Sequence, residues 1–171
     1  EDNILFIGKK ESGKTTILQR FGIFHACIES KYISVYIDMM KLNKGKDRIF
    51  LACQNFVFNN ISSDMSITKN QIRNMLLNGK LICLFDNINI SNVDHCLWIQ
   101  NFVRAFPDNR FFFSCVEKFY QTYTLKELPQ FGAEYKSVYL EYFGRRQVRE
   151  MVTKWGEGKS GFNANEMTQR I

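Results

Sequence analysis

Proline is scarce in this chain, and long apolar runs are missing. The 171 residues contain two prolines and show no internal repeat or low-complexity segment, which excludes collagen-like and linker-rich proteins. No uninterrupted apolar run exceeds five residues, whereas a membrane-spanning helix needs about 20. The first residues reach Lys9 and Lys10 after a short apolar run, so no signal peptide is visible. We therefore expect a cytoplasmic globular protein without a membrane span.

Cysteine occurs in an odd number and without metal or disulfide spacing. No CxxC pair exists, and His95 next to Cys96 is the only adjacent pair of candidate metal ligands, so we expect no structural zinc. Two of the cysteines lie in apolar runs, which is typical of a small buried hydrophobe in a reducing compartment. The five are Cys27, Cys53, Cys83, Cys96 and Cys115.

Charge of neither sign dominates. The formal net charge of +6 is spread along the chain, which is typical of a solvated surface, and we do not expect a nucleic-acid partner from it. One basic cluster, Arg145, Arg146 and Arg149, has two interpretations: a nucleic-acid contact, or the hydrated face of an amphipathic helix. We favour the helix face.

Segments with strand and helix patterns alternate along the chain, which predicts a parallel sheet with helices on both faces. A polar loop is predicted over 41–48, and a capping box begins at Thr68 and Gln71, with Gly79 as the helix stop. The predicted strands cover 4–7, 32–37, 81–85, 110–115 and 137–142, and the other predicted helices cover 14–24, 50–58, 96–106 and 145–155.

The strongest motif is the segment 8–15, which matches G-x-x-x-x-G-K-[ST] in full. It follows a hydrophobic strand and precedes a helix, as a phosphate-binding loop must. Gly8 and Gly13 let the backbone curl around phosphate oxygens, Lys14 reaches the β- and γ-phosphates, and the Thr15 hydroxyl ligates Mg²⁺. The sequence thus predicts an α/β P-loop NTPase: a three-layer fold with a parallel sheet of about five strands.

A nucleotide in this loop would contact most of its residues. Lys9 and Lys10 are included although solvated loop charges are the simpler interpretation of both. The predicted contacts are Gly8, Lys9, Lys10, Glu11, Ser12, Gly13, Lys14, Thr15 and Thr16.

Asp86 directly follows the apolar run 81–85. This is the pattern of a Walker B strand, whose terminal aspartate holds Mg²⁺ at the carboxyl edge of the sheet. We expect Thr15 and Asp86 to form the metal site and Lys14 and Asp86 to take part in catalysis. Other P-loop classes fit less well: a GTPase N-K-x-D segment, a transporter S-G-G-Q signature and an arginine-rich kinase lid are missing.

The arrangement resembles the NACHT group of STAND signalling ATPases. The resemblance rests on the loop at 8–15, the Walker B segment at 81–89, the strand at 110–115 and the segment 139–155. It implies ATP or ADP with Mg²⁺ as cofactors, and it places Ser114 in the nucleotide site at the sensor-1 position. It also implies contacts with other domains of a longer chain and self-association upon activation.

Two positions depart from the NACHT pattern. Relatives carry an acidic residue three positions after the Walker B aspartate, where this chain has Asn89, and a sensor arginine where it has Val116. An amide cannot take a proton from water, so the resemblance implies a catalytic position filled by Asn89 and very slow hydrolysis. Asp94 is an alternative source of the carboxylate.

We therefore expect a nucleotide-binding core at 1–156 and, at 157–171, a hinge with the start of a helical domain of a larger protein. The main hypothesis is a nucleotide-dependent conformational switch, with immune or antiviral signalling as the role that the resemblance implies. The alternatives are an AAA+-like ATPase associated with nucleic acid, and a degenerate P-loop scaffold. The intact Lys14 and Thr15 argue against the scaffold.

Overall fold

The computed structural model describes residues 3–28, 32–42, 47–61, 68–116 and 130–142, together with 144, 146, 147, 150, 153 and 154. Strands and helices alternate along these residues as the sequence predicts. They are β1 (Asn3–Gly8), α1 (Lys14–Ile28), β2 (Ile33–Asp38), a short 3₁₀ helix (Met39–Lys41), α2 (Arg48–Ile61), α3 (Lys69–Leu77), β3 (Leu81–Ile88), α4 (Val93–Ala105), β4 (Arg110–Val116) and β5 (Tyr135–Leu140).

The strands form one parallel sheet in the order β2-β3-β4-β1-β5. Because every strand points the same way, the carboxyl ends of β1, β2, β3 and β4 meet at one edge. The register pairs Asp38 of β2 with Asp86 of β3, and Gly8 of β1 with both Val116 of β4 and Leu140 of β5. Polar residues from separate parts of the chain therefore converge at this edge.

Helices cover both faces of the sheet, which confirms the predicted three-layer α/β fold. On one face α1 packs through Leu18 onto residues of β1, β3 and β4. On the other face, α2, α3 and α4 enclose the larger apolar core. Within that core the ring of Phe113 stacks on those of Phe85 and Phe131, with centroids 5.6 and 4.7 Å away. Burying such side chains contributes about 1.5–3 kcal/mol each.

Several element bounds differ from the predicted ones for local reasons. Helix α4 begins earlier, at Val93, because the side chain of Asn92 accepts hydrogen bonds from the first-turn backbone N–H groups of Asp94 and His95. Strand β5 covers Tyr135–Leu140 instead of 137–142, because its pairing with β1 ends where β1 ends. Strand β3 runs through Ile88 with an irregularity in its register to β4. The capping box at Thr68 is confirmed.

The chain divides into two compact units, residues 1–140 and 141–171. The sheet belongs to the first. In the second, the described positions 146, 147, 150, 153 and 154 of the predicted helix 145–155 are helical. Arg146 Nε donates to Glu150 Oε1 at 2.9 Å, and both side chains are exposed. Such a pair is typical of the hydrated face of an amphipathic helix, which is the interpretation we favour for the basic cluster. The predicted hinge and the helix start at 163–171 lie outside the described residues, so the proposed boundary at 156 stays a prediction.

None of the helices in the described segments has both the length and the apolar character needed to cross a membrane.

Candidate nucleotide-binding site

The loop between β1 and α1 is curled by two residues with positive φ, Glu11 at 66° and Gly13 at 84°. Ser12 N donates to the Lys9 carbonyl at 3.3 Å, which closes the turn before the helix starts. Gly8 cannot carry a side chain, since a Cβ there would lie 2.6 Å from the Leu140 carbonyl oxygen and 2.5 Å from Ser12 Oγ. The loop thus has the tight geometry of a phosphate cradle.

The loop fits a bound phosphate in a second respect. Ser12 Oγ is buried and has no hydrogen-bond partner among the described residues. A buried hydroxyl without a partner costs about 1–3 kcal/mol, so a ligand oxygen that bonds it would relieve that cost. The side chains of Lys9, Lys10, Glu11 and Thr16 face solvent, and Lys10 forms an exposed ion pair with Glu11 at 3.7 Å.

Lys14 is the charged residue buried in the loop, with 8% of it exposed. Its Nζ donates to the Lys9 carbonyl at 2.6 Å, which folds the side chain back over the loop. Burial lowers the pKa of the Lys14 ammonium below its ordinary value of 10.5, and the nearby Asp86 carboxylate partly opposes this shift. A cation held in a desolvated loop is well suited to bind phosphate, because a polyanion would supply the missing counter-charge.

The lowered pKa of Lys14 makes nucleotide affinity depend on pH. The ammonium is fully charged below that pKa and loses its proton as pH rises through it, so affinity for a phosphate anion should fall before pH 10.5 is reached. A titration of a fluorescent ATP analogue between about pH 7 and pH 10.5 measures this. Lys14→Arg is the control, since its guanidinium stays charged throughout. Constant wild-type affinity up to pH 10.5 would contradict the assignment.

Asp86 lies at the centre of the site and is fully buried. Its Oδ2 accepts hydrogen bonds from Thr15 Oγ1 at 2.6 Å and from the Tyr36 hydroxyl at 2.7 Å, and its Oδ1 accepts one from Ser114 Oγ. Residues of α1, β2 and β4 therefore converge on Asp86 of β3. A carboxylate beside a threonine hydroxyl is the donor set that suits Mg²⁺, and here Asp86 and Thr15 would hold the ion. Bound Mg²⁺ supplies charge neutralisation for the phosphates.

Tyr36 is a member of the site that the sequence did not reveal. Burial and its hydrogen bond to Asp86 raise the pKa of the phenol, so the hydroxyl keeps its proton and remains a donor. The predicted strand 32–37 contains Tyr36, yet its closeness to Asp86 depends on the register between β2 and β3.

Asn87 and Asp38 are two further residues that the sequence analysis missed. Asn87 has a left-handed backbone, φ 57°, and its N–H donates to Asp86 Oδ1 at 3.0 Å and to Ser114 Oγ at 3.3 Å. Its side-chain Nδ2 donates to Asp38 Oδ1 at 3.0 Å. The one available signal was the place of Asn87 directly after the Walker B aspartate.

Asn89, the predicted catalytic position, is half-buried beyond the end of β3. Its side-chain oxygen accepts a hydrogen bond from Ser91 N at 3.0 Å, which stabilises the turn before α4. Among the described contacts none joins it to Asp86. The alternative carboxylate, Asp94, is exposed in the first turn of α4, and Val116 is the last residue of β4. The roles predicted for these three residues stay predictions.

The fold of this chain can be compared with the folds of solved structures. Cdc6p from Pyrobaculum aerophilum aligns with a TM-score of 0.59 and 9% identity, over 97% of this chain and 46% of Cdc6p. Domain III of the replication initiation protein DnaA from Thermotoga maritima aligns with a TM-score of 0.60 and 18% identity, over 98% of this chain and 67% of that domain. The fold is that of a P-loop NTPase. The ADP form of ORC2 from Aeropyrum pernix has the same fold. It aligns with a TM-score of 0.59 and 12% identity, over 99% of this chain and 50% of ORC2.

These similarities do not confirm the NACHT assignment. At such low identity the similarity shows the fold alone. This chain spans about half the length of Cdc6p and ORC2. No family model matches the sequence, and no curated protein matches it.

Proposed function

We propose that this chain is the nucleotide-binding core of an AAA+-like ATPase that binds ATP or ADP with Mg²⁺. The observation that carries the proposal is the hydrogen bond of 2.6 Å between Thr15 Oγ1 and Asp86 Oδ2, beside the buried Lys14. Two residues 71 positions apart in sequence meet as a metal site requires. Two neighbours described as ADP-form ORC2 and AMPPCP-bound DnaA support an adenine nucleotide as the ligand.

The proposed division of work follows from the contacts. The curled backbone of the loop and Ser12 Oγ would bind phosphate oxygens, and Lys14 would bind the β- and γ-phosphates. Thr15 and Asp86 would hold Mg²⁺, while Ser114 and Tyr36 orient the Asp86 carboxylate. Nucleotide-dependent rearrangement of these contacts would act on further domains and on self-association of a larger protein. The NACHT resemblance and an immune role remain predictions.

Calorimetric titration tests the proposal directly. ATP and ADP should bind with one site per chain, and Mg²⁺ should strengthen the binding of ATP. GTP in the same titration reports base preference. Failure of every nucleotide to bind, with or without Mg²⁺, would leave a P-loop scaffold without ligand and would refute the proposal.

A second candidate function, association with nucleic acid, is favoured by a groove between α2, α3 and α4. The groove has a volume of about 530 Å³. Three cationic side chains, Arg48, Lys69 and Arg73, line it together with aromatic rings. The Arg48 guanidinium lies 3.9 Å from the Trp98 ring centroid, and Lys69 Nζ lies 5.6 Å from that of Phe50. Cations interleaved with aromatic rings are the usual composition of a single-strand binding surface.

Removing the two exposed cations of this groove tests the second candidate. We expect the Lys69→Ala, Arg73→Ala double variant to bind single-stranded DNA more weakly. The slope of log affinity against log salt should also become shallower, by about 0.7 for each phosphate that the two cations neutralise in the wild type. Fluorescence anisotropy over a range of salt concentrations measures both quantities.

The matched control removes two exposed cations elsewhere, with Arg20→Ala on α1 and Lys80→Ala before β3. The net charge of the two double variants is the same. An equal loss of affinity in both would indicate nonspecific attraction, and no binding by the wild type at low salt would remove the candidate function.

A further inference from the structure

The Asp86 carboxylate is surrounded by hydrogen-bond donors. Its Oδ2 accepts from Thr15 Oγ1 at 2.6 Å and from the Tyr36 hydroxyl at 2.7 Å. Its Oδ1 accepts from Ser114 Oγ and from Asn87 N. An ionised carboxylate has about four lone-pair sites, shared between its two oxygens. Donors from the described residues therefore fill these sites, and a metal ion or a metal-bound water that bonds this carboxylate must displace one of the donors.

The donors differ in how readily they can leave the carboxylate. Asn87 N belongs to the peptide bond that follows Asp86, so only a change of backbone would remove it. Ser114 is fully buried in β4, so its hydroxyl cannot turn to solvent. Thr15 need not leave, because its hydroxyl oxygen has lone pairs for a metal while its proton stays on Oδ2. Tyr36 is the donor that can yield.

Tyr36 reaches Asp86 along one face of the sheet. It pairs with Leu84 in the register between β2 and β3, and Asp86 lies two residues further along β3, on the same face. The Tyr36 ring packs against the apolar cluster between α1 and the sheet, which includes Leu84 and Phe112. The ring is thus held by packing, whereas the half-buried hydroxyl at its tip lies on an end strand of the described sheet and has solvent within reach.

We propose that the Tyr36 hydroxyl competes with Mg²⁺ for Asp86 Oδ2 and keeps the metal out of the site unless a nucleotide accompanies it. The inference rests on the proposed function, in which Thr15 and Asp86 hold the metal. A hydrogen-bond donor and a cation use the same lone pair of a carboxylate oxygen, so the presence of one lowers the affinity for the other.

Lys14 adds to this exclusion. Its charge interacts with that of Asp86, so the carboxylate attracts a further cation less strongly. The phosphates of a nucleotide would bind Lys14 and offer oxygen ligands of their own. These gains offset the loss of the hydrogen bond from Tyr36, which explains why the metal would enter with the nucleotide rather than before it.

The substitution Tyr36→Phe tests the inference in the whole chain. It removes the hydroxyl and keeps the ring that packs between α1 and the sheet. Mn²⁺ is the probe in place of Mg²⁺, because both prefer carboxylate and water ligands and free Mn²⁺ is measured by electron paramagnetic resonance. Calorimetry gives the affinities for ADP–Mn²⁺ and for ADP in a chelator. Tyr32→Phe is the matched control, since the Tyr32 ring lies 4.2 Å from the Arg110 guanidinium, at the opposite edge of the sheet.

We expect Tyr36→Phe to bind ADP–Mn²⁺, and Mn²⁺ alone, roughly tenfold more tightly than the wild type, because no hydrogen bond to a charged group has to be broken. The affinity for ADP in a chelator should not change, because the hydroxyl competes with the metal alone. Tyr32→Phe should equal the wild type in every titration. In the wild type, ADP–Mg²⁺ should also shift the near-ultraviolet tyrosine absorption, as a phenol loses its carboxylate acceptor, and Tyr36→Phe should lack this shift.

Other outcomes overturn the inference in distinguishable ways. Weaker binding of ADP–Mn²⁺ by Tyr36→Phe would mean that the hydroxyl positions the carboxylate for the metal and does not compete with it. Unchanged affinities, or an equal gain in Tyr32→Phe, would also overturn the competition. The proposed function stands in each of these cases if the wild type binds ADP, whereas a wild type that binds no nucleotide overturns both. Should Tyr36→Phe not fold, a wild-type tyrosine spectrum that ADP–Mg²⁺ leaves unchanged would still overturn the inference.

Discussion

Lys14→Ala should retain the fold and lose nucleotide binding. The ammonium is the only charged group buried within the described part of the loop, and it would bind two phosphates. Charge-assisted hydrogen bonds contribute about 1.5–3 kcal/mol each, so we expect affinity for ATP–Mg²⁺ to fall by at least roughly 10²-fold. Calorimetry and the thermal shift induced by ATP–Mg²⁺ measure the loss.

The ligand-free variant should not be less stable than the wild type. Burial lowers the pKa of Lys14, which means that the folded state disfavours its charge, and alanine removes that cost. Lys14→Met, which keeps the length of the aliphatic chain, separates the effect of packing from the effect of charge. Lys80→Ala, at the opposite edge of the sheet, is the control for removal of a lysine. An unchanged ATP-induced shift in Lys14→Ala would defeat the assignment of the loop.

The elements of the fold were predictable from sequence because each rests on local chemistry. The apolar run 81–85 and the strand-forming run 4–7 give strands wherever they are placed in the sheet, and the reciprocal bonds of Thr68 and Gln71 fix the start of α3 locally. The order of the strands was not predictable, since no local signal inserts β1 between β4 and β5. The start of α4 at Val93 depends on the side chain of Asn92, which caps the helix ahead of the apolar pattern that predicted a start at residue 96.

The residues of the site likewise separate into those that local sequence reveals and those that only the strand order and register bring together. The loop and Asp86 were predictable because their spacing is a property of the sequence, and the meeting of Thr15 with Asp86 follows from the parallel sheet. Tyr36 and Asp38 could not be found, because their closeness to Asp86 and Asn87 exists only once β2 pairs with β3 in the observed register. The NACHT pattern pointed to Asn89, whereas the residue that contacts Asp86 is Asn87.

This arrangement bears on the expected rate of hydrolysis. The described contacts bring no second carboxylate onto Asp86, and Asp38 is linked to the cluster through the Asn87 side-chain amide. A general base contributes about 10²–10⁴-fold to a rate, so a site in which no second carboxylate contacts Asp86 among the described residues should turn over slowly.

Asp86→Asn should weaken the binding of ATP in the presence of Mg²⁺ by roughly tenfold or more, and change Mg²⁺-free binding much less. The amide keeps an oxygen but loses the charge that attracts the metal. Titrations with ATP in Mg²⁺ and in a chelator, at the same ionic strength, give the two affinities. Asp108→Asn is the matched control, because it makes the same substitution far from the site.

The substitution should also destabilise the protein, which separates it from Lys14→Ala. Asp86 accepts hydrogen bonds from Thr15, Tyr36 and Ser114, and the NH₂ group of an asparagine would face at least one of these donors. A buried donor left without an acceptor costs about 1–3 kcal/mol, which urea denaturation of the ligand-free protein should detect. Binding must therefore be measured well below the unfolding transition of the variant. Equal losses of affinity with and without Mg²⁺ would mean that Asp86 organises the hydroxyls around it and does not hold the metal.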